Sequence, residues 1–279
     1  MRIGPAIHAQ LPTRALAGPS ADEMQVAREV QFRLLRSSAP RLATLECAAC
    51  SLPAREVGGD FFDFLRPGPG RLGLVLGDIS GKGVSAALMM ASLQASLRSH
   101  FATVGDDLPR LLRDVNRLHF ECTAPQHYAS LFFANYDDAS RHLRYANCGH
   151  NAPLLVHADG GVDRLQATST VLGMFESWTC ATAAVALAPG DTLLLFTDGV
   201  TEAIDPAGEA FGEARLLSSL RRHGHLSLSS LIHVMLREIR SFAGGRQRDD
   251  MTLVVARCAA PSGGSSIGPG RSSGRSRGA

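Results

Sequence analysis

Four aspartates stand where apolar runs begin or end. Asp78 closes "RLGLVLGD" and Asp198 follows "TLLLF", whereas Asp60 precedes "FFDF" and Asp249, with Asp250 beside it, precedes "MTLVV". In an antiparallel sheet the exit of one strand lies beside the start of its neighbour, so these acids can share one edge. Adjacent glycines such as Gly58, Gly59 and Gly199 allow close backbone approach there. Like charges about 4 Å apart cost several kcal/mol at an effective dielectric near 20, so such a cluster either protonates or takes up cations. Carboxylate oxygens suit hard divalent ions such as Mg2+ or Mn2+. A single Asp is more often a turn former or a cap; four at strand termini argue for a site.

The stretch "LGDISGKGVSAALMMASLQ", residues 76–94, invites a different reading, because a Gly-rich turn with Lys82 runs into a helix. A phosphate-binding Walker A loop needs four residues between its first Gly and the Gly-Lys pair, then Ser or Thr. Here Gly77 and Gly81 enclose three residues and Gly83 replaces the hydroxyl residue. The turn is therefore not a nucleotide loop. Asp78 is better explained as a metal ligand, with the metal in turn binding phosphate.

The elements that must position these acids follow from periodicity. Buried strands are expected at "RLGLVLGD", "YASLFFANYD", "LRYANCG", "APLLVHA", "DTLLLFTDG" and "MTLVVARC", and "LATLECAACSLPA" reads as a strand approaching a Pro turn. "DDASRH", "NCGHNAP" and "HADGGVD" read as hairpin turns, which imply antiparallel pairing. Helices are expected after Gly83, with Val84, Leu88, Ala91 and Ala95 along one face, over 107–122, and in "GEARLLSSLRRH" and "LSSLIHVMLREIRSFA". Helices set apart from runs of hairpins predict an α+β layered domain, helices over antiparallel sheet.

Ahead of it, Ser20 and Glu23 have capping-box spacing and open a helix over 22–37, which Pro40 stops. Its stripe of Met24, Ala27, Val30 and Leu34 packs on the chain's own core or serves docking, dimerisation or activation. The expected organisation is an irregular N-terminus at 1–19, a linker helix at 20–40, the main domain at 41–258 and a Gly/Ser/Arg tail at 259–279.

The 279 residues carry a net charge of +2, which gives no global footprint for nucleic acid or anionic membrane. No apolar run reaches the roughly 20 residues of a bilayer span, and the N-terminus lacks a secretory core, so a cytoplasmic location is expected. The six cysteines are too sparse for a disulfide framework, and the lone CxxC of Cys47 and Cys50 lacks a second pair for zinc. That pair reads as small buried thiols.

The motifs "REVGGDFFDF", "GDISGKGVSAALMMA", "ANCGHNAPLL", "LLLFTDGVTEA" and "RDDMTLVV" together resemble the PPM family of metal-dependent protein phosphatases, in its SpoIIE/RsbU-like branch. The likeness covers about 41–258, and the preceding helix resembles that branch's regulatory linker. It implies an αββα sandwich of two antiparallel sheets flanked by helices, and two Mn2+ or Mg2+ ions. By position, Asp60, Asp78 and the Ile79 carbonyl would hold one ion, and Asp78, Asp198 and Asp249 the other. Asp250 ranks below Asp249, and Asp63 would support the ligands from behind or serve the structure. Phe62 stands where many members have Tyr. Arg55 and Lys82 are candidates for a phosphate contact, and His150 for a turn-stabilising hydrogen bond or a general acid. The resemblance implies a phosphoserine/phosphothreonine phosphatase acting on a STAS-type anti-sigma-factor antagonist in a partner-switching pathway. A catalytically silent scaffold of the same fold, and a phosphatase for small phosphoesters, are the alternatives.

Overall fold

A computed structural model of the chain describes residues 19–35, 39, 42–124 and 127–259. The expected irregular start, Pro40 and nearly all of the Gly/Ser/Arg tail lie outside them. Helix α1 (Ala21–Leu35) leads into β1 (Leu45–Leu52), β2 (Phe61–Leu65) and β3 (Arg71–Ile79). Helices α2 (Val84–Val104) and α3 (Leu108–Cys122) follow, then β4 (Ala129–Asp137), β5 (His142–Cys148), β6 (Leu154–Val156), β7 (Val162–Arg164), β8 (Ala183–Ala186) and β9 (Thr192–Phe196). The chain continues through α4 (Asp198–Thr201), α5 (Gly212–His223), α6 (Leu228–Phe242) and β10 (Met251–Cys258).

The strands form two five-stranded antiparallel sheets, ordered β1-β10-β9-β6-β7 and β2-β3-β4-β5-β8. Strand alternation assigns each side chain to a layer. In β3, Leu72, Leu74 and Leu76 enter the core between the sheets, while Val75 enters the core under α2 and α3. In β9 and β10, Leu193, Leu195, Val254 and Ala256 face the other sheet, and Leu194, Phe196, Leu253 and Val255 face α5 and α6. Both faces of the central strands are therefore buried, which is why they read as continuous apolar runs. Three cores separate four layers. The fold is an αββα sandwich, as the resemblance implies.

Three local expectations change. "NCGHNAP" is not a hairpin, because β5 and β6 lie in different sheets. It is a crossover, turned by Gly149 at φ 67 and held by the buried Asn147, whose Oδ1 accepts from the His150 N–H. On α2 the buried face is Ala86, Met90, Leu93, Leu97 and Phe101, and Val84 and Leu88 are exposed. The sheet demands a broad, bulky face there, which the Val84–Leu88 side lacks.

On α1 the capping box forms, with Ser20 N–H donating to Glu23 and Glu23 N–H to Ser20 Oγ. The anticipated stripe does not turn inward along its whole length, however. Val30 and Leu34 are exposed, and the one buried side chain is Gln31. Its amide donates to the Gly58 carbonyl at 2.7 Å and accepts from the Gly58 N–H at 3.0 Å. Pairing a backbone amide in both directions outweighs the weak burial two aliphatic side chains would gain on this surface.

Candidate functional site

The acids of interest gather at one end of the sandwich, where the two sheets meet. Asp60 immediately precedes β2, and the register pairs Phe61 with Gly77, which brings Asp60 beside Asp78 near the end of β3. By alternation both belong to the parity that faces the other sheet, as Phe62 and Leu76 do. From that other sheet come Asp198, at the start of α4 after β9, and Asp249 and Asp250, just before β10.

Asp60 is 3% exposed and bridges the sheets. Its Oδ2 accepts hydrogen bonds from the hydroxyls of Thr197, at 2.8 Å, and Thr252, at 2.7 Å. Burial pushes its carboxyl well above the usual range, and the Asp78 charge adds to that, while the two threonines oppose it. Asp78 is pushed up to about 7, first by burial and then by Asp198, Asp249 and Asp250; a hydrogen bond with Asp60 pulls the other way. Two carboxyl groups can share such a bond only when one keeps its proton. Asp198 is raised too, by burial and then by Asp249, with the Gly199 N–H and Lys82 opposing. The acids thus sense one another at short range.

Asp249 and Asp250 divide the work. Asp249 Oδ2 is 2.5 Å from the Lys82 ammonium, which also donates to the Arg248 carbonyl. Asp250 turns to the backbone instead, accepting from Ala54 N–H at 2.7 Å and Gly59 N–H at 2.8 Å. A Cβ at Gly58 would sit 2.1 Å from Asp250 Oδ2, so no other residue admits that packing. The Ile79 carbonyl oxygen lies 2.8 Å from where a Cβ on Gly59 would be, which puts it beside the same turn. Arg55 Nη1 is 3.6 Å from the corresponding point on Gly83, so both candidate cations stand at the mouth of the acid cluster.

Other candidates fall elsewhere. Asp63 has the opposite parity to Asp60 and faces α2, where Arg98 grips it with two hydrogen bonds of 2.6 and 2.8 Å and Gln94 adds a third. It is a structural acid. His150 is buried and bonded through Nδ1 to Ser130 Oγ at 2.7 Å, and its Nε2 has no hydrogen-bond partner among the described residues. Burial lowers its pKa to about 4, which keeps it neutral. Ser130 pairs with Asp78 across β3 and β4, so His150 braces the strand beside that acid. Cys47 packs into the core between the sheets and Cys50 toward α6, on opposite faces of β1, so the CxxC cannot chelate.

Sequence reasoning missed Thr197, Thr252, Ser130 and Gln31. The threonines were detectable, because Thr252 shares its parity with Val254 and Asp60 must find donors if buried. Gln31 carried no such signal.

A hard divalent ion needs several oxygen donors close together. The set here is carboxylates plus one backbone carbonyl, crowded enough to hold protons at neutral pH, which is the chemistry such an ion would relieve. Among the described residues no three His, Cys, Asp or Glu side chains form a chelate as they stand. Asp249 is turned to Lys82 and Asp60 to two hydroxyls. The donor types fit such an ion, although Asp249 and Asp60 are both engaged with other partners.

A family model described as Stage II sporulation protein E (SpoIIE) matches residues 68–259. The chain belongs to the SpoIIE family. It is 30% identical to Protein IcfG of Synechocystis sp. over 262 residues, covering 84% of this chain and 41% of that one. It is 27% identical to phosphoserine phosphatase RsbU of Bacillus subtilis over 237 residues, covering 84% and 70%. The RsbU and RsbW domains of Rv1364c from Mycobacterium tuberculosis superpose with a TM-score of 0.68 at 29% identity, covering 82% of this chain and 64% of that one. The SiaA PP2C domain of Pseudomonas aeruginosa, at 24% identity, shares the fold with a TM-score of 0.74, covering 85% and 96%. The chain spans less than half the length of IcfG. No described helix is long and apolar enough to cross a membrane.

Proposed function

We propose that this SpoIIE-family chain is a metal-dependent phosphatase that hydrolyses phosphoserine or phosphothreonine in a protein. The observation that carries the reading is the crowding of acids around Asp78, only partly offset by Lys82, with the Asp78 carboxyl pushed up to about 7 by burial and by three neighbouring aspartates. A charge set that repels itself at neutral pH costs stability unless a cation joins it.

Asp60, Asp78 and the Ile79 carbonyl would hold one divalent ion, and Asp78, Asp198 and Asp249 a second; Mn2+ and Mg2+ both suit all-oxygen donors. Such ions, when bound, lower the pKa of water and draw charge from a phosphoryl group. The chain's own residues do the rest. Thr197 and Thr252 fix the Asp60 carboxylate, and Asp250 fixes the turn that carries it. Lys82, released from Asp249, and Arg55 offer charged donors to the phosphate at the mouth. No side chain is needed as nucleophile, and His150 is buried and neutral.

The substrate class is carried by likeness. RsbU and RsbP of Bacillus subtilis are phosphoserine phosphatases, and in the Rv1364c structure an RsbU domain accompanies an RsbW domain. We assign this chain a phosphorylated STAS-type anti-sigma-factor antagonist as substrate on that basis. A silent scaffold would leave the repulsion among the acids without a use. The exposed face of α1 that carries Val26, Val30 and Leu34 supports a role in dimerisation or activation.

Phosphate release from a phosphoserine protein, with and without Mn2+, tests the reading. Wild type should turn over only with the metal, and Asp78→Asn should lose on the order of a thousandfold or more in kcat/KM. Metal-independent turnover, or an active Asp78→Asn variant, would refute it. Calorimetry should show Mn2+ binding that the variant weakens.

A further inference from the structure

Beside the acid cluster runs a trough whose charge is opposite in sign. Its first part, a cavity of about 360 Å³, is lined by Arg28 of α1, Arg55, Arg240 of α6 and Gln247, with Leu52 in its floor. A second part of about 630 Å³ shares Leu52 and Arg240 and adds Arg237, with Cys50 and Leu236 as apolar floor. All four arginines are exposed, and none is ion-paired with a carboxylate among the described residues. Elsewhere on the surface Arg98, Arg164, Arg215 and Arg222 each have an acidic partner. Among the described residues, Glu56 is the one acid lining either part of the trough.

The trough is tied directly to the site. Gln247 donates to the carbonyls of Leu52 and Asp249, and Ala54, in the same wall, donates to Asp250. Arg55 stands where the trough meets the Gly83 turn. Four unpaired guanidinium groups around a partly apolar floor, in a chain whose net charge is only +2, are a local concentration of charge. Such a surface raises the local concentration of an opposite charge and fixes its register. Guanidinium forks match carboxylates in particular.

We propose that this trough docks an acidic segment of the phosphoprotein substrate, with carboxylates flanking the phosphorylated residue seated on Arg28, Arg237 and Arg240. The proposal rests on the phosphatase reading for the word substrate, but the docking itself is testable without catalysis. The chain then selects acidic phosphoproteins through contacts away from the reacting group.

The test uses the full chain, its Arg237→Glu/Arg240→Glu variant, and an Arg110→Glu/Arg113→Glu control on α3 in the opposite helical layer. Binding of a fluorescent Glu-rich peptide without phosphate is followed by anisotropy in the absence of divalent cation, at low and high salt. Wild type and control should bind it in a salt-sensitive way, and the trough variant at least about tenfold more weakly. With Mn2+, KM for a Glu-rich phosphopeptide should rise by a similar factor in the trough variant. Turnover of the Gln-for-Glu phosphopeptide and of p-nitrophenyl phosphate should not change. Equal peptide binding by wild type and trough variant overturns the docking surface, as does equally tight binding of an RNA oligomer of the same charge. If no protein turns over any phosphoester while peptide binding still depends on Arg237 and Arg240, the phosphatase reading fails and the acidic docking surface stands.

Discussion

Asp60 and Asp63 lie three residues apart, are 3% and 2% exposed, and belong to opposite regions of the molecule. Asp63 faces α2 and meets Arg98, with Gln94 beside it, so a buried charge is answered by an opposite charge. Asp60 faces the end of the sandwich, receives two hydroxyls and no cation, and sits against another acid. Burial alone therefore does not distinguish a working carboxylate from a structural one. What distinguishes them is whether the fold has already supplied the compensating charge. Where it has, the residue is purely structural; where it has not, we propose that a cation completes the site.

The pH dependence of stability separates the two regions most strongly. In the folded chain Asp78 keeps its proton up to about pH 7, whereas an unfolded Asp releases it near pH 3.9. Between those values the folded state binds the extra proton, so stability falls as pH rises and levels off above the folded value. Asp60 and Asp198 are shifted in the same direction. In EDTA the wild type should lose on the order of 4 kcal/mol across this window by thermal denaturation, and Asp78→Asn should lose less. An equal slope in both proteins would break the distinction. Mn2+ should restore stability above pH 7 in wild type.

Asp63→Ala probes the compensated region. Arg98 is half exposed and can recover water, so the expected loss is about 2 kcal/mol rather than the larger cost of stranding a buried charge. Metal affinity, read by calorimetry below the melting temperature, should stay unchanged; a weakened affinity would merge the two regions. Gln31→Ala should cost about 1 kcal/mol, with Mn2+ affinity falling because Gly58 leads into Asp60. The smallest effect belongs to a third compensated group. His157 has Asp163 on one ring nitrogen and Asp191 on the other, bonds that raise its pKa. Its contribution is full below about pH 6.5 and disappears as pH rises through the raised folded value, by less than about 1 kcal/mol because the ring and Asp163 are open to solvent although Asp191 is buried. His157→Gln should flatten that shallow slope in denaturant titrations.

The layered architecture was legible because double-sided burial leaves long apolar runs, and the acids were legible because they interrupt those runs at their ends. The same alternation also carried information that apolar content hides. Counting in twos from Phe62 and Phe64 puts Asp60 between the sheets and Asp63 under α2. The short edge strands β7 and β8 are three and four residues long and partly exposed, too little for a periodic signal. The β5–β6 crossover looked like a hairpin because Asn147, Gly149 and Pro153 are turn residues whichever sheet the chain enters next. On α1 the stripe misled because the buried position is filled by an amide that reads backbone rather than by a hydrocarbon.

Asp60 has a second consequence through its two threonines. Thr197 and Thr252 come from one sheet and Asp60 from the other, so this carboxylate is a rivet between halves of the molecule as well as a member of the acid cluster. An engineer who wants an inert but intact copy of this chain, to trap its substrate, should leave that rivet alone. Asp198, which senses the neighbouring acids and Lys82 but makes no side-chain hydrogen bond to the other sheet among the described residues, is the safer place to cut.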